Sequence, residues 1–359
     1  MKKEYPKVLI LLPGISFSPI GGYKVILEYA NRLSIDGYNV TIAYAGFIYR
    51  DFRNKSFREK LSIIKRLLVG PKKVSARRWF NLHQNIKEIY PLTLNYKKNL
   101  KADIYIATAC LTAKYVNQYP HGKKFYFIQD YENWSMTDNE LIQTYLFPLK
   151  KIVISQWLKK IIDSCSDSCV VVPNGFDAKE YYVSIPIKNK DKMSISMLYN
   201  SRPAKDVNTT IEALSKVHEK YDIRVYAFGA EYPKTILPHW IKFIYAPSHE
   251  KHLEINNKSS IYVASSYSEG WGLTIGEAMM CGQAVVCTDA NGFLEMAIHE
   301  RNALVSPAKD AHLLASNIMR LLEDDSLRCR LAEQGVKDIE KFNIESSYLS
   351  FRNVIEEIA

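Results

Sequence analysis

A glycine-containing loop in the second half of the chain carries residue types that bind phosphate and sugar. The stretch 265–282 reads SSYSEGWGLTIGEAMMCG, a pattern that predicts the end of a strand, a loop and the start of a helix. Gly270 and Gly272 have no side chain, so a ligand can approach the backbone closely there. Leu273 and Thr274 begin the predicted helix, and their unpaired amides suit a diphosphate without a metal ion.

A carboxylate lies in the same predicted helix. Glu277 falls in its first turn, where it can accept hydrogen bonds from the two hydroxyl groups of a ribose. The alternative is that Glu277 only caps its helix by opposing the positive end of the helix dipole.

The elements that would position this loop alternate between strand and helix. In the first half, strands are predicted at 8–12, 39–44, 104–108, 125–129, 152–155 and 169–172. In the second half, strands are predicted at 195–199, 223–229, 261–265 and 284–288, with helices at 207–221 and 274–281. Two successive arrays of this kind predict an α/β fold with two Rossmann-like domains facing a cleft, and ligands at the carboxyl ends of the strands.

The predicted boundary between the two domains lies where this alternation is interrupted. The residues 173–175 read PNG, and the stretch 186–192 is polar and rich in lysine, so the linker is expected across this region. We place an N-terminal domain at 1–175, a C-terminal domain at 190–340 and a final helical segment at 341–359.

The composition is that of a globular protein without a membrane span. Hydrophobic residues make up 47% and charged residues 24% of the 359 residues. No stretch has the apolar length of a transmembrane helix or of a secretory signal, which predicts a cytoplasmic protein whose membrane contact is peripheral. The six cysteines show neither a paired C-x-x-C nor histidines at zinc spacing, so we interpret them as reduced thiols.

The net charge of +10 is concentrated in one segment. Residues 50–78 contain eleven lysines and arginines against only Asp51 and Glu59, and apolar residues are interleaved with them. An amphipathic basic surface of this kind attracts anionic lipid, for example at the inner face of the plasma membrane. A solvated helix face packed on its domain fits the pattern equally well. Nucleic acid is not an expected partner, because no recognition motif accompanies the charge.

The loop also resembles a known family. Glu269 and Glu277 have seven residues between them, with a Gly-Trp-Gly-Leu core and a Glu-Ala-Met-Met-Cys-Gly tail. This block is similar to the signature of retaining glycosyltransferase family 4, which has the two-domain fold called GT-B. The resemblance implies that Glu277 binds the nucleotide ribose, that Glu269 touches the transferred sugar, and that Trp271 belongs to the donor site.

A basic pair is the second element of the resemblance. The stretch 198–206 reads LYNSRPAKD and contains Arg202 and Lys205. The family places cations here that balance the donor phosphates and the charge that builds on the leaving diphosphate. Lys205 aligns as that phosphate ligand. Arg202 is either a second ligand or a surface arginine beside a proline turn.

Three further stretches agree with the family in their order along the chain. Gly21-Gly22 resembles the N-terminal glycine loop that closes over donor and acceptor, and 172–177 resembles the hinge between the domains. The stretch 291–295 resembles a glycine loop with a trailing glutamate. The resemblance further implies that the final helix crosses back to the N-terminal domain.

A strand in the first half delivers two carboxylates to its carboxyl end. The stretch 125–134 reads FYFIQDYENW and looks like the corresponding segment of bacterial rhamnosyltransferases that build surface polysaccharides. Asp130 and Glu132 are therefore candidates on the acceptor side, and Asp130 is a candidate catalytic residue. The alternative is that both simply cap the next helix.

Together these features predict a retaining, metal-independent glycosyltransferase of bacterial cell-surface glycan synthesis without a cofactor. The expected donor is dTDP-rhamnose, with UDP- and GDP-sugars as alternatives, and the expected acceptor is a lipid-linked glycan or a polysaccharide. Two other functions remain open: a catalytically silent GT-B subunit that binds glycan or a partner, and a sugar-nucleotide epimerase or phosphorylase on the same fold.

Overall fold

Two units make up the described part of the chain. The computed structural model describes four stretches: 5–16, 20–45, 75–166 and 168–357. By their contacts, the residues up to Pro173 and from Tyr348 onward form the first unit, and Asn174–Ser347 form the second. Residues 174–190 thus lie with the second unit, where the amide of Ser184, for example, donates to Asn257 Oδ1 at 2.7 Å.

The first unit is built on a seven-stranded parallel sheet. Its strands are β1 (Lys7–Leu12), β2 (Asn39–Tyr44), β3 (Lys87–Ile89), β4 (Ile104–Ala107), β5 (Lys123–Ile128), β6 (Lys150–Val153) and β7 (Val170–Val171). Its described helices are α1 (Gly21–Ile35), α2 (Cys110–Asn117), α3 (Asp138–Tyr145) and α4 (Gln156–Asp163), with short 3-10 helices at Ala76–Arg78 and Lys98–Leu100. The strand order is β3-β2-β1-β4-β5-β6-β7, so the order reverses between β1 and β4.

The second unit repeats this plan with six parallel strands. They are β8 (Asp191–Leu198), β9 (Arg224–Gly229), β10 (Ile241–Tyr245), β11 (Ser259–Ala264), β12 (Ala284–Thr288) and β13 (Ala303–Ser306). The helices are α5 (Val207–His218), α6 (His249–Lys258), α7 (Leu273–Met280), α8 (Ala311–Glu323), α9 (Asp325–Ile339) and α10 (Ile344–Glu356), with 3-10 helices at Ile187–Asn189, Pro203–Lys205 and Asn291–Glu295. The order β10-β9-β8-β11-β12-β13 reverses between β8 and β11.

Each sheet is covered by amphipathic helices because its strands are apolar on both faces. In the second unit, Ile195 of β8, Ile261 of β11 and Val286 of β12 are completely buried, as are Leu214 and Leu314 on the covering helices. Near-continuous apolar strands are typical of parallel sheets buried on both sides. The predicted class, α/β with two Rossmann-like arrays, is confirmed.

The part of α10 from Tyr348 onward packs within the first unit. The Phe351 ring stacks on Tyr29 with centroids 4.6 Å apart and meets Phe127 edge-on at 5.7 Å, and all three rings are buried. Arg352 donates to Asp36 Oδ2 at 2.8 Å. No helix in the described stretches combines the length and the apolar character needed to span a bilayer.

Candidate functional site

In the second unit, the loop after β11 enters α7 through a glycine that no other residue can replace without strain. Gly272 has φ +98°, in the left-handed region that favours glycine. A Cβ at this position would lie 2.5 Å from the Phe293 ring. The sequence therefore places glycine where the backbone must turn sharply to expose the amides at the start of α7.

A second glycine braces the same loop. The amide of Gly292 donates to the Glu269 carbonyl oxygen at 3.1 Å, and a Cβ on Gly292 would lie 2.6 Å from the Gly270 carbonyl carbon. The 3-10 helix Asn291–Glu295 thus packs directly against the loop backbone. The predicted similarity of 291–295 to a glycine loop corresponds to this close approach.

The structure brings Lys205 and Glu269 together. Lys205 Nζ lies 2.5 Å from Glu269 Oε1, and the Ser266 hydroxyl donates to the same oxygen at 2.8 Å. The two side chains are 22% and 9% exposed, so the charges interact partly shielded from water. An ammonium group has three donors, and Lys205 can therefore hold Glu269 and still donate to a phosphate oxygen.

The turn that carries Lys205 is held by the end of β11. Asp206, the next residue, has φ +44°, a strained value for a residue with a side chain. Its carbonyl oxygen accepts from the Ser265 hydroxyl at 2.6 Å, and the amide of Tyr267 donates to the Ala204 carbonyl oxygen at 3.0 Å. These bonds fix the distance between the turn after β8 and the loop after β11.

Arg202 and Trp271 differ in their exposure to solvent: Arg202 is exposed and Trp271 is buried. Arg202 is exposed at the start of the 3-10 helix Pro203–Lys205, where its amide donates to Asn200 Oδ1 at 2.9 Å. The Trp271 ring is only 3% exposed and packs edge-on against Phe342 with centroids 5.0 Å apart. The indole is therefore almost fully buried, and its place in the site of the nucleotide sugar stays a prediction.

Glu277 lies on α7 with a neighbour that the sequence did not indicate. Glu277 is 7% exposed, and the hydroxyl group of Tyr181 lies 3.2 Å from His252 Nδ1 and close enough to Glu277 to be affected by its charge. Burial, followed by the negative charges of Glu277 and Glu180, raises the pKa of Tyr181. The phenol therefore keeps its proton and remains a donor. Tyr181 lies between the two predicted domains, 1–175 and 190–340, where a linker was expected.

In the first unit, the predicted glycine loop is part of a helix. Gly21 and Gly22 are the first residues of α1, whose N-cap is Ile20. A Cβ on Gly22 would lie 3.3 Å from Gln129 Oε1, a buried oxygen with no hydrogen-bond partner among the described residues. The glycines therefore form the first helical turn and do not form a loop before it.

Glu132 binds the start of α2 and not the start of α3, the next helix along the chain. Its Oε2 accepts from the amide of Cys110, the first residue of α2, at 2.5 Å. The following helix α3 is capped instead by Thr137, whose side chain accepts from the amide of Glu140. Asp130 accepts from the amide of Tyr131 at 2.9 Å. The alternative that both carboxylates cap the next helix is therefore wrong.

Most of the basic segment 50–78 lies outside the described residues, which resume at 75. Arg77 is described and serves the local structure. Its guanidinium donates to the carbonyl oxygens of Leu82, His83 and Ile86 at 2.6, 3.1 and 2.9 Å. Across the described stretches, no three His, Cys, Asp or Glu side chains converge as a metal site.

Known proteins are similar to this chain in two ways: in the sequence of its second unit and in the fold of the whole chain. Residues 179–338 match the family model described as glycosyl transferases group 1. An uncharacterized glycosyltransferase of Methanocaldococcus jannaschii is 25% identical over 219 residues, 58% of this chain and 60% of that protein.

A second relative is an N,N'-diacetylbacillosaminyl-diphospho-undecaprenol alpha-1,3-N-acetylgalactosaminyltransferase of Campylobacter jejuni. It is 35% identical over 86 residues, 24% of this chain and 23% of that protein. The chain thus matches less than two thirds of the length of either relative.

The crystal structure of HepE from Anabaena in complex with UDP-glucose has the same fold. It superposes with a TM-score of 0.72 at 15% identity, covering 99% of this chain and 100% of that one. The predicted GT-B fold is confirmed, and the matches support a GT-B glycosyltransferase family.

Proposed function

From the premise that this chain has the fold and the C-terminal sequence pattern of GT-B glycosyltransferases, we propose that it transfers a sugar from a nucleotide-sugar donor to a glycan acceptor. The observation that carries the proposal is the pairing of Lys205 with Glu269 at the carboxyl ends of β8 and β11. These two strands flank the reversal of strand order, where doubly wound sheets bind their ligands.

On the donor side, each described group has one chemical task. The amides at Leu273 and Thr274 begin α7 and would receive the diphosphate, since a helix N-terminus favours negative charge. Lys205 would neutralise the charge that grows on the diphosphate as it leaves. Glu277 would accept from the ribose hydroxyl groups, and Glu269 would contact the transferred sugar.

The proposed chemistry keeps the anomeric configuration of the sugar. The acceptor hydroxyl attacks from the face that the diphosphate leaves, and a phosphate oxygen takes its proton. Lys205 and the α7 amides then stabilise the departing charge without moving, so that catalysis rests on positioning and electrostatics. No metal ion or cofactor takes part in this scheme.

The donor and acceptor are proposed at the level of chemical class. The sequence favours dTDP-rhamnose, and the UDP-glucose bound to HepE supports including UDP among the first nucleotides tested. The Campylobacter relative acts on an undecaprenol-diphosphate-linked sugar by its name, which supports a lipid-linked acceptor for this chain. The basic segment 50–78 would bind the anionic membrane that contains such an acceptor, and would so bring the protein close to it.

Calorimetric titration of UDP, GDP and dTDP tests the donor site. We expect one nucleotide to bind the wild type, also in the presence of EDTA, and Lys205→Ala to weaken that binding at least about tenfold. The reason is that a hydrogen bond from a charged donor is worth about 1.5–3 kcal/mol, and about 1.4 kcal/mol is tenfold.

Lys216→Ala is the matched control. Lys216 pairs only with Glu212 on the surface of α5, at 3.6 Å, among its described contacts, so its loss should leave the affinity unchanged. Equal binding by wild type and Lys205→Ala, or failure of all three nucleotides to bind the wild type, would refute the proposed donor site.

A further inference from the structure

A loop at the edge of the second unit exposes apolar side chains to solvent. It spans residues 230–240 and connects β9 to β10, the edge strand of the described six-stranded sheet. Ile236 is 100% exposed, Tyr232 is 68% exposed, and Tyr245 at the end of β10 is 47% exposed. Single apolar residues on a surface are ordinary, but these three belong to one loop and the strand that follows it. Such a concentration indicates an interaction surface.

The base of this loop is held by the fold of the second unit. The amide of Lys234 donates to the Tyr199 hydroxyl group at 3.0 Å, and Tyr199 is only 4% exposed. The Tyr232 and Tyr245 rings stack, with centroids 4.2 Å apart and planes 4° apart. The loop therefore has one defined attachment to the interior and one to the edge strand.

The tip of the loop is fully exposed although the chain on both sides of it is attached. After the tip, Leu237 and Trp240 pack against the hydrophobic core of the second unit. Pro233 and Pro238 restrict the backbone on either side, because their rings fix the angle φ. The exposure of Ile236 is therefore a feature built into the loop.

The charge of the segment 232–245 has one sign. The segment reads YPKTILPHWIKFIY, with two lysines and neither aspartate nor glutamate. Lys234 and Lys242 are exposed, whereas Glu231, the acidic residue before the segment, accepts from the amide of Ser201. Exposed lysines beside tyrosine, tryptophan and an aliphatic side chain are residue types that lie in the interface of anionic membranes.

A membrane suits this surface better than a protein partner does. A protein interface of standard size buries roughly 800 Å² on each side around a packed centre. The large apolar side chains exposed here are only Ile236 and the two stacked tyrosines. A fluid acyl layer needs no shaped pocket to take up one exposed aliphatic side chain.

We propose that the loop 230–240 binds the interface of an anionic membrane. Ile236 enters the acyl boundary, and Lys234 and Lys242 contact lipid phosphates. The two stacked tyrosines, which have apolar rings and polar hydroxyl groups, lie at the level of the head groups. This contact goes beyond sugar transfer, and it is separate from the basic segment 50–78 because the loop belongs to the second unit.

Substitution of Ile236 by serine tests the proposal on the whole chain. Partition constants are measured by sedimentation with vesicles of phosphatidylcholine and phosphatidylglycerol, and with vesicles of phosphatidylcholine alone. Since full burial of an isoleucine side chain corresponds to roughly tenfold to a hundredfold in affinity, we expect Ile236→Ser to weaken binding to the anionic vesicles at least about fivefold. The fully exposed side chain has no core contact to lose, so thermal unfolding should match that of the wild type.

Ile298→Ser is the matched control. Ile298 is 46% exposed on the same unit, outside the loop, so the partition constant should stay within about twofold of the wild-type value. A variant that combines Lys234→Gln with Lys242→Gln should weaken binding to the anionic vesicles by about fivefold for each lysine. With neutral vesicles this variant should behave like the wild type.

A fluorescence measurement locates the side chain in the bilayer. Brominated acyl chains quench tryptophan emission only at short range. With vesicles that contain brominated lipid, the emission of Ile236→Trp should therefore fall by a larger fraction than that of Ile298→Trp.

Several outcomes would overturn the proposal. They are an unchanged partition constant for Ile236→Ser, an equal loss for Ile298→Ser, and no binding of the wild type to the anionic vesicles. A loss for the lysine variant without a loss for Ile236→Ser would show contact with head groups alone, and insertion of the loop would be wrong. None of these results depends on the nucleotide titrations, so the failure of one proposal leaves the other standing.

Discussion

At the scale of single residues, Glu269 is held by two donors that converge on the same oxygen. Lys205 and Ser266 both bond Oε1, while the backbone carbonyl of Glu269 accepts from Gly292. Side chain and main chain are thus fixed by three different segments of the second unit. A residue fixed in this way cannot move with a ligand, which suits a group that must meet a sugar in one geometry.

The contribution of Glu269 to turnover can be separated from binding. Glu269→Gln keeps the volume and an acceptor for Ser266 but removes the charge, so the variant should fold and bind the nucleotide within about threefold of the wild type. Because a preorganised polar contact in the transition state is worth about 10²–10³ in rate, we expect kcat to fall by about that factor. Transfer assays with the donor that the titrations identify give kcat and KM separately. Turnover at the wild-type rate would remove Glu269 from the reaction.

The same scale shows what sequence patterns can and cannot reveal about a side chain. The loop glycines were predictable because a close approach of backbone leaves no alternative, and Gly272 shows that constraint directly. Trp271 is expected in the donor site from its place in a motif, and only the structure shows that its ring packs edge-on against Phe342. A motif fixes the position of a residue in the chain, whereas the direction of its side chain depends on packing partners far away in the sequence.

At the scale of elements, the strands that carry the site were predictable and some supporting ones were not. Strands β11 and β12 contain the apolar runs IYVA and AVVC, whereas β8 reads DKMSISML and alternates apolar residues with serine. The predicted limits of all three agree with the structure to within about four residues. Strand β10 reads IKFIY and is mostly half-exposed or exposed. The hydrophobic pattern of β10 therefore does not distinguish a strand from a loop.

Helix α6 shows why the surroundings of Tyr181 could not be predicted. It reads HEKHLEINNK, a polar sequence without an amphipathic stripe, and no helix was assigned there. It nevertheless supplies His252, whose Nδ1 atom meets the Tyr181 hydroxyl group only after the chain has folded. Contacts of this kind depend on tertiary structure, and a single sequence contains no local signal for them.

Where β8 begins, a buried lysine makes the stability of the second unit depend on pH. Lys190 is 5% exposed and donates to the carbonyl oxygens of Asn256 and Ser259 at 2.9 and 3.2 Å. Burial lowers the pKa of Lys190 from its ordinary 10.5 to about 7. Between these two values the unfolded chain binds a proton that the folded chain does not, so stability rises with pH in this window.

Substitution of Lys190 should remove this dependence. From pH 7 to pH 8.5, the free energy of unfolding of the wild type should gain roughly 1–2 kcal/mol more than that of Lys190→Met. Urea unfolding of both proteins at the two pH values measures the difference. Lys192→Met, at an exposed position two residues on, serves as control and should behave like the wild type. Parallel pH profiles for all three proteins would contradict the prediction.

At the scale of the whole molecule, the charge distribution leads to a test of membrane binding. The chain carries a net charge of +10, and much of the excess lies in 50–78. Each lysine or arginine near an anionic membrane contributes about 1 kcal/mol. Reversing Lys72, Lys73 and Arg78 to glutamate should therefore strongly reduce sedimentation with vesicles that contain anionic lipid.

The reversal leaves Arg77 unchanged, because its guanidinium donates to three carbonyl oxygens of the fold. Neutral vesicles are the control, and neither protein should sediment with them. The same fraction bound to anionic vesicles before and after charge reversal would show that this segment is a solvated surface, the alternative that the sequence left open.

The return of α10 to the first unit has a consequence for the order in which the protein can fold during synthesis. Tyr29 and Phe127 leave the ribosome early, but the ring that closes their cluster, Phe351, is made more than two hundred residues after Phe127. The second unit, by contrast, is one continuous stretch from Asn174 to Ser347. The second unit, which is translated later, can thus complete its core first. In the first unit, Tyr29 and Phe127 keep an exposed aromatic surface until Phe351 has been made, and chaperones would recognise such a surface.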